Sequence, residues 1–284
     1  MRIARLAHAD GVDYAVLDGQ VAELIADPFA EPAATAPYTA RFSPSYGSPA
    51  GRPLRRLGRR VALADARLLA PVVPRTVVGM AHNTGLADRL RPPQAFLKPP
   101  RSVVGPGVPV RLPAGSERVE AEAELAVVLA ASLTGHTEQT VHEAVFGYTI
   151  ANDVTSRDLQ QSDPLWTSAK SGHGFTPLGP WIETDLDATD VEVRLSIDGV
   201  ELSPGSTAHL ARGVAEILCH LAGYLPLGPG DVVLTGAPGE TGPLRAGGSV
   251  SASAPAIGTL ANPVGRAPDR HVPTPIPSGD TACP

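Results

Sequence analysis

The chain has 284 residues, a formal net charge of −6 at pH 7, 29 glycines and 30 prolines. It is long enough to bury a sizeable core, as one large domain or as a large domain with a small appendage. The acidic balance argues against a nucleic-acid-binding protein, because the arginines between Arg52 and Arg60 form only a short basic cluster. Glycine and proline exceed average usage, which predicts many turns, few long helices and a β-rich fold.

No segment has the composition of an export signal or a membrane span. The N-terminus, Met1 to Arg5, lacks a long apolar core, and no run approaches the ~18 apolar residues that a span requires. We therefore expect a cytoplasmic protein without a membrane partner. The cysteines, Cys219 and Cys283, suggest neither a disulfide framework nor a cysteine-based metal site.

Residues 1–70 are predicted to form a small N-terminal domain and a linker. Tyr14 to Leu17 and Val21 to Ile25 have the composition of short strands, and a loop rich in proline, alanine and serine follows at residues 31–53. Residues 71–264 form the predicted catalytic domain. Beyond Asn262 the prolines are too dense for a helix or a central strand, and residues 265–284 are predicted to be a disordered tail.

Three carboxylates stand at alternate positions in the otherwise apolar run from Val119 to Val128. Successive side chains of a strand point to opposite faces, so a single strand would place Glu120, Glu122 and Glu124 on one face. Such carboxylates repel one another and lose hydration inside a sheet, and a hard divalent cation relieves both costs. The alternative is a solvated edge strand whose charges face water.

A fourth carboxylate follows the next β-rich run. Gly147 to Ala151 is typical of a strand, and Asn152 with Asp153 is typical of a turn or strand end. A carboxylate from this second strand would complete a site for Mg²⁺ or Mn²⁺ that keeps positions open for substrate and water. The alternative makes Asp153 a turn former and pairs Arg157 with a nearby acid.

Two stretches of the predicted catalytic domain have helical character. Glu138 to Phe146 follows Thr137, a residue type that caps helices. Ala208 to Leu221 carries apolar side chains at three-to-four-residue spacing, which predicts a stripe that packs on the core.

Six motifs occur in order between about Val77 and Val264. They are GMAHN with QAFLKP, EAEAELAVVL, GYTIANDVTSRDLQ, W..AKS..GFTPLGPW, GDVVLTGAP and IGTLANPV. In order and spacing this succession resembles the fumarylacetoacetate hydrolase family. The resemblance implies an α+β, β-dominated fold, the mixed β-roll of that family with a small N-terminal domain, and a homodimer.

The resemblance also implies a metal site. In the family, a Glu-x-Glu pair and the aspartate of an Asn-Asp motif bind Mg²⁺ or Mn²⁺. By resemblance the ligands here are Glu122, Glu124 and Asp153, with Glu120 as a neighbour.

Three further residues match positions that the family uses around the metal and the substrate. Lys98 and Lys170 match lysines near the metal and the substrate carboxylate, and Gln160 matches a residue that reaches the substrate oxygen. Without the resemblance, both lysines would be read as ordinary surface residues. Lys98 precedes Pro99 at an expected strand end, and Lys170 lies in an expected loop.

The segment Gly79 to Asp88 departs from the family pattern. Hydrolytic members carry Gly-x-Asn-Tyr-x-x-His-x-x-Glu, in which the glutamate orients the histidine and the histidine activates water. Here Gly85 stands at the histidine position, Asp88 at the glutamate position and His82 at the tyrosine position. Positioned general-base catalysis contributes about 10²–10⁴-fold, so hydrolysis requires a substitute base. His82 is the obvious substitute, and the alternative is that it has a structural role.

The resemblance implies a small oxo acid substrate, and three functions stay open. The first is metal-dependent hydrolytic carbon–carbon cleavage of a β-diketo or 2-oxo acid of the acylpyruvate or fumarylacetoacetate type. The second is decarboxylation, isomerisation or hydration of an unsaturated oxo-diacid, which is favoured if Gly85 lines the cavity with no replacement base nearby. The third is a non-catalytic homologue that binds a small acid, although Glu122, Glu124 and the other matching residues are all still present.

Overall fold

The computed structural model describes residues 1–30 and 54–267. Twenty-one strands run through these residues: β1 (Arg2–His8), β2 (Gly11–Asp18), β3 (Val21–Ile25), β4 (Arg56–Ala62), β5 (Arg67–Leu68), β6 (Val77–Ala81), β7 (Gln94–Lys98), β8 (Val103–Val104), β9 (Val110–Leu112), β10 (Val119–Ala121), β11 (Ala123–Leu129), β12 (Val145–Asn152), β13 (Thr155–Ser156), β14 (Thr176–Glu183), β15 (Glu192–Ile197), β16 (Val200–Glu201), β17 (Gly205–Ser206), β18 (Val232–Leu234), β19 (Gly242–Pro243), β20 (Ser249–Ala254) and β21 (Gly258–Arg266).

Helices are few and short in the described residues. The α-helices are α1 (Arg157–Ser162), α2 (Thr167–Lys170) and α3 (Val214–Ala222). Single 3₁₀ turns cover Leu63–Asp65, Leu86–Leu90, Pro100–Ser102, Val141–Ala144 and Thr207–His209. None of these helices is long and apolar enough to cross a membrane.

The strands form three sheets. The largest has 12 strands in the order β4-β3-β2-β1-β14-β12-β11-β18-β6-β7, with β5 beside β1 and β8 beside β14. A 6-stranded sheet runs β16-β15-β20-β21-β9, with β17 beside β15, and a 3-stranded sheet runs β13-β10-β19. Most pairs are antiparallel, but β6 with β18, β8 with β14 and β9 with β21 are parallel. The predicted β-dominated mixed fold is therefore confirmed.

Strand β11 lies at the centre of this arrangement, and every residue of it is buried. A strand covered on both faces needs an almost continuous apolar run, which β11 has after Glu124. Leu125 packs with the 6-stranded sheet and Val127 packs with α3. Ala126 and Val128, on the opposite face, pack with the N-terminal strands. The acidic end of β11 thus emerges where these layers meet.

The predicted N-terminal strands are present as β2 and β3. Strand β1 joins them to the rest of the chain, because Ile3 pairs with Ile182 in β14. The loop predicted at residues 31–53 lies outside the described residues.

Both helix predictions were too long. The segment Glu138 to Phe146 forms only a 3₁₀ turn at Val141–Ala144, because Val145 already pairs with Leu129 as the first residue of β12. The segment Ala208 to Leu221 begins as a 3₁₀ turn and becomes helical only at Val214. Arg212 lies between this 3₁₀ turn and the helix. Its N–H donates to Asn83 Oδ1 at 2.8 Å, and its carbonyl oxygen accepts from Asn83 Nδ2 at 3.1 Å.

The acidic run is not one strand. β10 ends at Ala121 and β11 begins at Ala123, so Glu122 lies in the break between two sheets. Its N–H donates to Asn152 Oδ1 at 3.0 Å, and its carbonyl oxygen accepts from Asp153 N at 2.8 Å. At Glu122 the Asn152 side chain and the Asp153 N–H therefore replace the backbone hydrogen bonds that a neighbouring strand would provide.

The last strand continues past the predicted domain boundary at Val264. β21 runs through Pro263 to Arg266, where it pairs with β9. An exposed proline is tolerated in a strand where no ladder partner needs its missing N–H. Residues 268–284, most of the predicted tail, lie outside the described residues.

Candidate active site

Three buried carboxylates converge at the ends of neighbouring strands. Glu122 precedes β11, Glu124 is its second residue, and Asp153 directly follows β12. Because Ala123 pairs with Asn152, the two strand ends lie side by side. One oxygen from each carboxylate lies within 4.8 Å of the others. The structure therefore brings the three predicted metal ligands into one cluster, and hard oxygen donors of this kind suit Mg²⁺ or Mn²⁺.

Two buried lysines balance this charge. Lys98, the last residue of β7, donates to Asp153 Oδ1 at 2.5 Å. Lys170 donates to the other oxygen of Asp153 and, at 3.0 Å, to Glu122 Oε2. Their side chains are 0% and 3% exposed, so neither is a surface lysine. The loop expected around Lys170 is a short helix, α2, whose last residue is the lysine itself.

The carboxylates differ in their affinity for protons. Burial, together with the charges of Asp153 and Glu122, raises the pKa of Glu124 well above its ordinary value. Burial also acts to raise the pKa of Asp153, but the ammonium groups of Lys170 and Lys98 outweigh it and leave that pKa lowered. Asp153 is therefore ionised at neutral pH, whereas Glu124 holds a proton to a higher pH than an ordinary glutamate.

Glu120 lies outside the three-carboxylate cluster. Its Oε2 accepts from Arg157 Nε at 2.8 Å and its Oε1 from Arg118 Nε at 2.8 Å. Arg157 also pairs with Glu122 and donates to Gln160 Oε1 at 3.0 Å. Arg157 is therefore held in an ion-pair network with local acids, and it orients the Gln160 side chain.

A cavity of ≈ 490 Å³ opens onto the cluster. Its polar lining includes all three carboxylates and four further predicted or matching residues: His82, Arg157, Gln160 and Lys170. Phe96 and Trp166 supply the aromatic part of the wall. Lys98 does not line the cavity and reaches the site only through Asp153. A larger cavity of ≈ 680 Å³ lies at the N-terminal strands and contains none of these residues.

His82 presents a hydrogen-bond donor to this cavity. Its Nδ1 lies 3.0 Å from Arg91 Nη1, and its ring packs edge-on against Trp166 at 5.8 Å. A guanidinium can only donate, so Nδ1 accepts and the neutral ring carries its hydrogen on Nε2. Nδ1, which carries the lone pair that a general base would need, therefore already accepts a hydrogen bond from Arg91.

The segment that departs from the family pattern contributes Thr84 and Asp88 to the wall, whereas Gly85, between them, does not line the cavity. A Cβ atom at Gly85 would meet nothing within 4 Å, and the φ of −170° is one that any residue adopts. Asp88 Oδ2 accepts from Thr84 Oγ1 at 2.9 Å and from Thr84 N at 3.1 Å. Its slight burial acts to raise its pKa, but the Thr84 bonds and the nearby His82 and Arg91 outweigh this and lower it. Asp88 is thus an ionised carboxylate on the cavity wall.

Several supporting residues carried no recognisable signal in the sequence. Arg91 contacts His82 because the 3₁₀ turn Leu86–Leu90 brings it back along the chain. No apolar periodicity in the sequence indicates that turn. Thr155 donates to Glu122 Oε2 at 2.9 Å. Thr155 lies in strand β13, two residues after Asp153, and nothing else in the sequence links it to the site.

Comparison with known proteins agrees with this geometry. Residues 75–265 match the family model described as Fumarylacetoacetate (FAA) hydrolase C-terminal, and residues 1–71 match the model described as Rv2993c-like, N-terminal. Protein Rv2993c of Mycobacterium tuberculosis is 38% identical, over 94% of this chain and 98% of its own.

Two further relatives have names that state an activity. The crystal structure of 5-carboxymethyl-2-hydroxymuconate delta-isomerase from Mycobacterium smegmatis is 36% identical, with a TM-score of 0.81 over 94% of this chain and 100% of that one. Oxaloacetate tautomerase YcgM of Escherichia coli is 33% identical, over 55% of this chain and 74% of its own. The family model covers most of this chain, and the chain belongs to the fumarylacetoacetate hydrolase family.

Proposed function

We propose that the protein is a divalent-metal-dependent tautomerase or isomerase of a small 2-oxo dicarboxylic acid. The observation that carries this proposal is the cavity wall opposite the carboxylates. Open space surrounds Gly85, His82 offers a donor, and Asp88 is the ionised group. The condition stated for the second function is met in part: no histidine stands at position 85, but Gly85 itself does not line the cavity and Asp88 does.

Glu122, Glu124 and Asp153 are the residues that would hold Mg²⁺ or Mn²⁺, since all three are buried and offer oxygens within 4.8 Å of one another. A divalent cation bound there supplies Lewis acidity toward adjacent oxygens of an oxo acid. Lys170, which lines the cavity, stays beside the site as a cation for the substrate, whereas Lys98 holds Asp153 from outside the cavity.

The chain itself provides donors for a developing negative charge. Lys170 keeps its proton on Nζ, because the attraction of Asp153 and Glu122 outweighs burial and raises its pKa. His82 presents Nε2–H, and Gln160 has its carbonyl oxygen fixed by Arg157, which leaves its amide N–H groups for the cavity. Donors fixed in advance stabilise an enolate oxygen more than the neutral ketone from which it forms.

The proton acceptor on this wall is Asp88. A carboxylate whose pKa is lowered is a weak base, so it needs an acidic partner. A carbon between two carbonyl groups is such an acid. Asp88 is therefore suited to moving a proton on and off such a carbon.

The relatives support this choice, because one is named an isomerase of an unsaturated carboxylic acid and another an oxaloacetate tautomerase. Hydrolytic cleavage of an acylpyruvate-type acid is the second candidate. It is favoured by the position of His82 on the same cavity as the carboxylates, since rotation away from Arg91 would free a ring nitrogen.

The test is an assay in ¹⁸O-labelled water, with Mg²⁺ or Mn²⁺ and with EDTA, in which NMR resolves the isomers and mass spectrometry detects ¹⁸O. The panel contains oxaloacetate, unsaturated oxo-diacids and acylpyruvates, and Glu122→Gln is the inactive control. We expect metal-dependent interconversion of isomers without incorporation of ¹⁸O into a released acid. Metal-dependent cleavage with ¹⁸O in the product would instead establish hydrolysis, and no turnover of any compound would favour the non-catalytic reading.

A further inference from the structure

A third cavity is lined by residues that follow Lys98 in the chain and by residues on either side of Lys170. Its volume is ≈ 500 Å³, and it shares no lining residue with the active-site cavity. One wall follows Lys98 along the chain, and another flanks Lys170. The lining residues are Pro99, Arg101, Ser102, Arg111, Pro113, Ala114, Ser168, Ser171, Gly172, His173 and Ala267.

The charged groups of this lining are all basic. Arg101 and Arg111 face the cavity, and none of its lining residues in the described part of the chain is acidic. This contrasts with the chain as a whole, which carries a net charge of −6. It also contrasts with the cavity at the N-terminal strands, where Arg5 and Arg75 are accompanied by three aspartates.

The two guanidinium groups have hydrogen-bonding capacity to spare. Within residues 1–30 and 54–267, Arg101 makes no ion pair or side-chain hydrogen bond, and Arg111 makes one, from Nη1 to Arg266 O at 3.3 Å. An arginine side chain carries five N–H donors, so the described residues leave most of those in the pair unused. Both side chains belong to exposed residues, so a ligand in the cleft can reach them.

Arg111 is also held in place. It lies in β9 opposite Gly265, its N–H donates to His173 O at 3.0 Å, and its Nη1 is 3.3 Å from where a Cβ on Gly265 would be. The guanidinium therefore lies over the glycine, and the Arg111 backbone is fixed in β9.

We propose that this cavity is a binding site for a small organic carboxylate. The guanidinium groups of Arg101 and Arg111 bind the carboxylate, for which the planar fork of arginine is suited. The apolar body of the ligand lies against Pro99, Pro113 and Ala114, which an inorganic anion would not use. The site stands apart from the metal-binding cavity and does not rest on the function proposed for it.

The experiment is a titration of the full-length, EDTA-treated protein with benzoate, followed by calorimetry and by ¹⁵N amide chemical shifts. Benzamide, which has the same shape without the charge, and inorganic phosphate are the comparison ligands. The test variant is Arg101→Gln with Arg111→Gln. The matched control is Arg60→Gln with Arg67→Gln, which removes the same charge from two exposed arginines far from this cavity in sequence.

We expect benzoate to bind the wild type and the control equally, and to shift the amides of Gly172 and His173. The double variant at Arg101 and Arg111 should bind benzoate at least 10-fold more weakly, and benzamide should bind the wild type as weakly as that. No detectable benzoate binding, equal affinity in the test variant, or shifts confined to Gly236 and the active site would overturn the site. Phosphate binding as tightly as benzoate would overturn its assignment to organic carboxylates.

Discussion

Lys98 Nζ lies 2.5 Å from Asp153 Oδ1, and the two side chains are 0% and 2% exposed. Because Lys98 does not line the cavity, it cannot contact a substrate there, and its role is to position Asp153. Lys170 holds the second oxygen of the same carboxylate. The orientation of one proposed metal ligand is therefore fixed from two sides by ammonium groups.

Replacing Lys98 with methionine should destabilise the metal-free protein. Breaking a buried ion pair by removing one partner costs about 3–5 kcal/mol, and the remaining bond from Lys170 should keep the loss near the lower figure. A divalent cation supplies the missing charge, so Mg²⁺ should stabilise Lys98→Met more than the wild type. Urea unfolding with EDTA and with Mg²⁺ measures both effects, and equal stability of the two proteins in EDTA would contradict the role given to Lys98.

Glu122 and Glu120 provide a matched pair for the metal site. Both carboxylates contact Arg157, but only Glu122 belongs to the cluster within 4.8 Å. Glu122→Gln should weaken Mn²⁺ binding by at least about 10²-fold, since even residues behind metal ligands cost 10–100-fold. Glu120→Gln should leave it within a few-fold of the wild type. Electron paramagnetic resonance of free Mn²⁺ measures both affinities, and similar losses in the two variants would place the ion elsewhere.

Metal binding should release a proton from Glu124. Its raised pKa means that the metal-free protein keeps this carboxyl protonated above the ordinary glutamate pKa of about 4.3. Since a cation binds the carboxylate form, metal affinity should rise with pH until Glu124 is ionised. Calorimetry in buffers of different ionisation enthalpy counts the proton. The release should disappear in Glu124→Gln, and an affinity that does not change with pH would refute this protonation state.

His82→Gln should retain most of the activity, whereas His82→Ala should not. The glutamine amide nitrogen can donate where Nε2–H does, but glutamine cannot act as a general base. If His82 were the base, both variants would lose about 10²–10⁴-fold in kcat. Rate–pH profiles separate the cases: the His82→Gln profile should match the wild type, and the loss of one limb of the profile in this variant would identify a base.

Restoring the histidine and glutamate of the family's hydrolytic motif should give the protein hydrolytic activity. Nothing lies within 4 Å of a Cβ atom at Gly85, and its φ is extended, so a histidine fits without strain. The double substitution Gly85→His with Asp88→Glu should add metal-dependent cleavage of an acylpyruvate, by about 10²–10⁴-fold over the wild type. Product acids are measured by mass spectrometry. A folded, metal-binding double variant that gains no cleavage would show that the histidine position does not decide between the reactions.

Much of the site followed from local sequence. The β-strand character of the run from Val119 to Val128 and a strand end at Asn152 were recognisable, and strand pairing then brought Asp153 beside the glutamates. The strand end at Lys98 was likewise recognisable, but only the resemblance to the family placed this lysine near the metal. These features depend on neighbours in the chain, which patterns of residue type report directly.

Features that depend on distant contacts could not be predicted in this way. The break at Glu122 depends on the Asn152 side chain, and the late start of α3 depends on Asn83, which lies 129 residues before Arg212. The protonation pattern of His82 depends on Arg91, which a 3₁₀ turn brings back to it. Pro263 was expected to end regular structure. It is instead an exposed residue of β21, where no neighbouring strand needs a hydrogen bond from its nitrogen.

The central claim is that this site forms an enol without hydrolysing the substrate. Proton NMR of oxaloacetate in D₂O, with and without the protein and Mg²⁺, measures exchange at the carbon beside the ketone while the carbon skeleton is followed in the same spectra. We predict Mg²⁺-dependent acceleration of exchange that EDTA and Glu122→Gln abolish, with no carbon–carbon cleavage attributable to the protein. Exchange at the uncatalysed rate, or protein-dependent cleavage that keeps pace with exchange, would contradict the account.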